Sequence, residues 1–160
     1  MTSPESTVEI RAATVSDRAA ACRLLTAQLK EHDLPIDPDG IARGVELALA
    51  SSSRAWLLLA TRSGMPVGIL LANPIVSVEK GGAALWVEEL YVTPSQRGRG
   101  VGRALMEFVI REARNNGMSA VELEVVNGHS GGHSGGHSAA MALYEKLGFK
   151  ALARTRFSLG

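Results

Sequence analysis

The chain has 160 residues, 46% of them hydrophobic and 21% charged, with a net charge of +1. That length suits one domain with its own core, and a charge so near balance gives no electrostatic case for nucleic acid or a membrane surface as partner. The single cysteine, Cys22, excludes an internal disulfide framework and suits a reducing cytoplasm; the polar start MTSPEST does not read as a signal peptide, and no 18-residue apolar run is present.

Residues 1–7 read as a frayed tail and the remainder as one domain. Val8 to Ala12 alternates apolar and polar residues, as a half-buried strand does. Thr14 or Ser16 caps a helix with Asp17 in its first turn. Ala20, Leu24, Leu25, Ala27 and Leu29 carry that helix to about His32, with Cys22 on its apolar face as an inert buried thiol. Pro35 and Pro38 break the chain. Ile41, Val45, Leu47, Ala48 and Leu49 predict a second helix, closed by Ser51-Ser52-Ser53.

Ala55 to Ala60 is a strand, and Ser63-Gly64-Met65-Pro66 a turn. The next strand starts at Val67 and continues past Pro74, with a bend, to about Val78. Lys80-Gly81-Gly82 turns the chain into a strand ending at Val92. A helix follows, with Val101, Ala104, Leu105, Phe108, Val109 and Ala113 on one face, and stops at Asn115-Asn116-Gly117. Val121, Leu123 and Val125 mark a further strand. Ser138 to Leu147 is a short helix ended by Gly148, and Ala151 to Leu159 a last strand. Between them lies a four-residue unit repeated three times over 127–138, rich in Gly, His and Ser. It reads as a flexible loop, although three histidines four residues apart would suit Zn²⁺ or Ni²⁺ if the loop coiled.

The chemistry concentrates in Glu88 to Arg103, EELYVTPSQRGRGVGR. Three arginines and three glycines alternate where a strand hands over to a helix. Glycine permits positive φ and close approach of a ligand to the backbone. Free N–H groups and the positive dipole end at the helix start favour phosphate. The P-loop pattern fails for want of Lys-Ser/Thr, and the dinucleotide fingerprint fails on glycine spacing and on place in the chain.

Arg97-Gly98-Arg99-Gly100-Val101-Gly102 instead resembles the pyrophosphate loop of the GNAT superfamily of acyl-CoA N-acyltransferases. Leu90-Tyr91-Val92-Thr93-Pro94 resembles the strand before that loop. Ala142-Leu143-Tyr144-Glu145-Lys146-Leu147-Gly148-Phe149 resembles the family's C-terminal segment. Together these cover about the C-terminal half of the chain.

The resemblance implies an α/β fold: a mixed, mostly antiparallel sheet of six or seven strands with helices on both faces, splayed near Val92 and Val125 to hold the cofactor. It implies acetyl-CoA as cosubstrate, bound by the loop N–H groups from Arg97 to Arg103 and by backbone groups at Leu90, Tyr91 and Val92. No metal is required, and dimers are frequent in the family. Tyr144 is the implied general acid to the departing thiolate; its alternative is a core tyrosine beside Leu143 and Leu147. Glu88 and Glu89 are the candidates to take the proton of the incoming ammonium. From a regular strand only one of them faces the cleft, and parity does not choose between them. In the family an Asn commonly lies seven residues before the Tyr; that position here is His137. The expected acceptor is the primary amine of a small molecule, polyamine-like or amino-acid-like. A protein N-terminus or lysine, and a non-catalytic acyl-CoA sensor, are the alternatives.

Overall fold

A computed structural model of the chain describes residues 7–125 and 134–152. The chain divides into two compact units, Met1–Glu124 and Val125–Gly160. The fold is α/β. The first unit holds β1 (Val8–Ala12), α1 (Arg18–Glu31), α2 (Pro38–Leu49), β2 (Trp56–Arg62), β3 (Met65–Ser77), β4 (Gly82–Val92), α3 (Val101–Asn115) and β5 (Ala120–Leu123). The second holds α4 (Ser134–Lys146).

The sheet runs β1-β2-β3-β4-β5. The first three pairings are antiparallel and β4–β5 is parallel. Five strands are found among the described residues, against the six or seven expected. The strand expected over Ala151 to Leu159 falls almost wholly outside the described residues. The strand expected to reach Val125 ends at Leu123. The helix expected from Ser138 begins at Ser134, so the end of the predicted flexible repeat is helical; residues 127–133 of it lie outside the described residues.

Both faces of the sheet are covered within the first unit. Ala21 and Leu24 of α1 and Val45 of α2 pack on Leu57, Leu59, Ile69 and Tyr91. On the opposite face sits α3, whose Val101, Leu105, Met106 and Val109 are buried. Gly68 allows that close fit: a Cβ there would stand 3.2 Å from Val101 Cγ1, Leu105 Cδ1 and the Tyr91 carbonyl. Thr14 caps a short 3₁₀ turn, Val15–Asp17, that leads into α1, and its N–H donates to Asp17 Oδ2 at 2.8 Å; the N-cap of α1 itself is Asp17, in place of the expected Thr14 or Ser16. Pro38 opens α2 at its first turn, where no N–H is needed. Cys22 is a half-buried free thiol packed against the α1–α2 core. Among the described residues no helix is long and apolar enough to cross a membrane.

Candidate active site

The β3–β4 ladder slips by one residue in its middle. Leu71 lies opposite Glu89 and Ala72 opposite Val87, so Glu88 is an extra residue on β4. Such a bulge bends a strand and re-aims its side chains. It overturns the expectation that Glu88 and Glu89 point to opposite faces. Glu89 stands opposite Leu71, which packs against the α1–α2 core. Trp86 stands opposite Asn73, two residues from Leu71 and therefore on the same face. Trp86 Nε1 donates to Glu88 Oε2 at 2.9 Å, which draws that carboxylate to the same side. Both acids thus serve one face of the sheet. Glu88 is exposed, whereas Glu89 is half-buried.

Glu89 lies in the lining of a cavity of about 180 Å³. Leu25 and Leu29 of α1, Ile41 and Val45 of α2, and Leu57 and Leu71 of the sheet make apolar walls. Gln28 of α1 and Gly44 of α2 also line it. Gln28 is only 6% exposed, and its Oε1 has no hydrogen-bond partner. Sequence reasoning missed Gln28, although a signal existed. It falls four residues after Leu24 and seven after Ala21, a polar residue on the core face of α1.

The β4–β5 pairing stops at Val87–Leu123, while β4 runs on through Glu88, Glu89, Leu90, Tyr91 and Val92. From Glu89 to Val92 the ladder continues, among the described residues, on the β3 side alone, from Leu71–Glu89 to Gly68–Val92. The chain then makes a short 3₁₀ turn at Pro94–Gln96 and enters the glycine loop. Gly98 and Gly100 have φ of 71° and 79°, a region that favours glycine. Gly100 is the N-cap of α3, and Ala104 N donates back to its carbonyl at 2.9 Å. The N–H groups of Val101, Gly102 and Arg103 therefore lie in the first helical turn, ahead of any intrahelical acceptor. A loop with open space at both Gly98 and Gly100, ending on a helix start, suits a pyrophosphate.

The three arginines of the loop differ. Arg97 Nη2 pairs with Glu31 Oε2 at 2.7 Å, its Nε donates to the Val92 carbonyl, and its guanidinium lies over the Tyr91 ring. The hydrogen bond that Arg97 donates to Glu31 raises its pKa above the ordinary value. Arg103 pairs with Glu107 one turn on. Arg99 lends its carbonyl to Arg62 Nη2, and Arg62 Nη1 donates to Gln96 Oε1 at 2.8 Å. Arg62, at the end of β2, was not expected to take part; nothing in its sequence context marks it. Its Nε is buried without a partner.

In the second unit Tyr144 is half-buried on α4 and meets Phe149 edge-on, with ring centroids 5.9 Å apart. Burial pushes its phenol above the ordinary range, so it holds its proton at neutral pH.

A carboxylate-bearing bulge, a strand running on past its parallel neighbour and a glycine loop opening a helix follow one another from β4 to α3. The chain belongs to the acetyltransferase (GNAT) family, whose pattern matches residues 19–149. Over 116 residues it is 28% identical to N-acetyltransferase family 8 member 2 of Rattus norvegicus, which covers 69% of this chain and 48% of that protein. It spans between 36% and 52% of the length of the curated relatives it matches. Two solved structures share the fold. A possible acetyltransferase from Clostridium difficile 630 has a TM-score of 0.79 at 19% identity, covering 96% of this chain and 97% of that one. An aminoglycoside N-acetyltransferase in complex with CoA has a TM-score of 0.78 at 20% identity, covering 100% and 99%.

Proposed function

We propose that the chain transfers an acetyl group from acetyl-CoA to the primary amine of a small molecule. The observation that carries this reading is the β4 bulge, which turns Glu88 and Glu89 to one face and seats Glu89 in a cavity one strand end away from the glycine loop. Acetyl-CoA, when bound, supplies the acetyl group as a thioester. The loop N–H groups from Arg97 to Arg103 hold its pyrophosphate, with Arg99 and Arg103 adding charge. Backbone groups at Leu90, Tyr91 and Val92 hold the pantetheine arm and polarise the thioester carbonyl.

Glu89 is the better placed of the two acids to take the proton of the acceptor ammonium, directly or through one water, because it sits in an apolar cavity. Glu88, exposed and tied to Trp86, draws a cationic acceptor toward the site. Tyr144 keeps its proton until the C–S bond breaks and then donates it to sulfur. Its role rests on the resemblance of the segment from Ala142 to Phe149.

The test is CoA release, followed with a thiol reagent, across amines supplied with acetyl-CoA. Release with small amines, and its loss by roughly 10²-fold in Glu89→Gln, is the expected result. No release with any amine, while acetyl-CoA still raises the Tm, would leave a binding protein and sink the reading.

A further inference from the structure

The α1–α2 cavity has a composition that narrows the acceptor. Its volume of about 180 Å³ is below the roughly 300–1,000 Å³ of clefts that hold drug-sized ligands. Among the described residues Glu89 is the single charged group in its lining; the rest is aliphatic except for the Gln28 amide. A polycation brings several ammonium groups, and such walls leave all but one of them desolvated without a counter-charge.

Gln28 gives the second constraint. A buried acceptor is ordinarily hydrogen-bonded, and an orphaned one asks for an explanation. Gln28 Oε1 is buried and has no partner, and Gln28 is one of the residues that line the cavity. An amide oxygen accepts only, so the complement is an N–H or O–H donor. Gly44 of α2 also lines the cavity, and a Cβ there meets nothing within 4 Å, so no neighbour blocks a side chain at that position. Glycine inside a helix is costly, so a larger side chain at this position need not weaken α2.

We infer that the cavity selects a compact, singly charged amine with an apolar body and a second N–H or O–H donor, and that Gln28 Oε1 accepts that donor. This rests on the amine-acetyltransferase reading above and removes polyamines from its acceptor class.

Three acceptors separate the terms. Leucinol carries amine, aliphatic body and hydroxyl. 1,3-Dimethylbutylamine replaces the CH₂OH by methyl, and spermidine is a polycation. The unmodified protein should prefer leucinol to 1,3-dimethylbutylamine by on the order of tenfold in kcat/KM, with spermidine poorest, since a buried unmade hydrogen bond costs about that ratio or more. Gln28→Met, similar in shape and without the acceptor, should erase the preference while leaving the KM for acetyl-CoA unchanged. Gly44→Leu removes a poor helix former and fills the cavity. It should lose both leucinol and 1,3-dimethylbutylamine as substrates while acetyl-CoA still raises its Tm. An unaltered preference in Gln28→Met, full activity in Gly44→Leu, or spermidine as best acceptor would overturn the inference and leave the acetyltransferase reading intact. Failure of every amine with the unmodified protein would overturn both.

Discussion

Glu31, the last residue of α1, and Arg97, the first of the glycine loop, pair at 2.7 Å across 66 residues of sequence. The guanidinium also lies 5.5 Å from the centroid of the Tyr91 ring. Arg97 is therefore committed to holding α1, the end of β4 and the loop together. Its side chain has less freedom to reach a phosphate than that of Arg99.

Arg97→Gln should accordingly act on stability before it acts on the cofactor. The pair is partly exposed and the ring contact modest, so the loss is about 1 kcal/mol, or roughly 2–4 °C in Tm. The KM for acetyl-CoA should rise less than in Arg99→Gln. Thermal melts and steady-state kinetics of the two variants decide it; a larger KM effect at Arg97 would return that residue to the phosphate site.

Arg62 supports the loop from β2 through Gln96 Oε1 and the Arg99 carbonyl. It touches the loop's framework, and its removal should blur the position of the N–H groups proposed to hold pyrophosphate. Arg62→Met is expected to raise the KM for acetyl-CoA several-fold, on the order of one lost charged hydrogen bond, with kcat little changed. A fall in kcat at constant KM would assign Arg62 to the reacting end instead.

The sequence carried the elements and the loop further than it carried the site. Strand and helix periods were written in residues such as Val8, Ile10, Leu105 and Val109, because burial of one face imposes them. The role of Gly98 and Gly100 was readable because positive φ selects glycine. What could not be read was the register slip at Glu88. A bulge is decided by pairing with Leu71 and Ala72 across the ladder, and no local pattern records that pairing. Alternation alone forced the two acids onto opposite faces. Gln28 was missed for a related reason: the cavity it lines is shared with Glu89, Gly44 and Val45, which reach it only through the fold.

Tyr144→Phe tests the proposed acid. Burial raises the phenol, so its protonated fraction stays near unity through neutral pH and is lost only above its ordinary value of about 10. The substitution should lower kcat by roughly 10²-fold while leaving the KM for acetyl-CoA unchanged. The alkaline limb of the unmodified protein's rate profile should not begin below about pH 10 on account of this group. Equal turnover in Tyr144→Phe would leave Tyr144 as a packing residue against Phe149.

Acid stability should depend on Asp17. Arg11 donates to both carboxylate oxygens, at 2.7 and 2.8 Å, and Thr14 adds its N–H and hydroxyl to Oδ2. The Arg11 hydrogen bonds, aided by those from Thr14 and against the cost of burial, hold Asp17 well below the usual carboxylate range. A folded-state pKa below the unfolded one means that the unfolded chain takes up the proton first. The stabilisation is therefore complete above the unfolded value of about 4 and is lost as pH falls below it. Asp17→Asn keeps the shape and removes the charge, and should cost about 1–3 kcal/mol at pH 7. Urea unfolding at pH 7 and pH 3 should show the gap between the two proteins narrowing on acidification, because the unmodified protein then begins to lose what the variant never had. A gap of constant size would mean that the Asp17 contacts stabilise the fold through shape alone, without the charge.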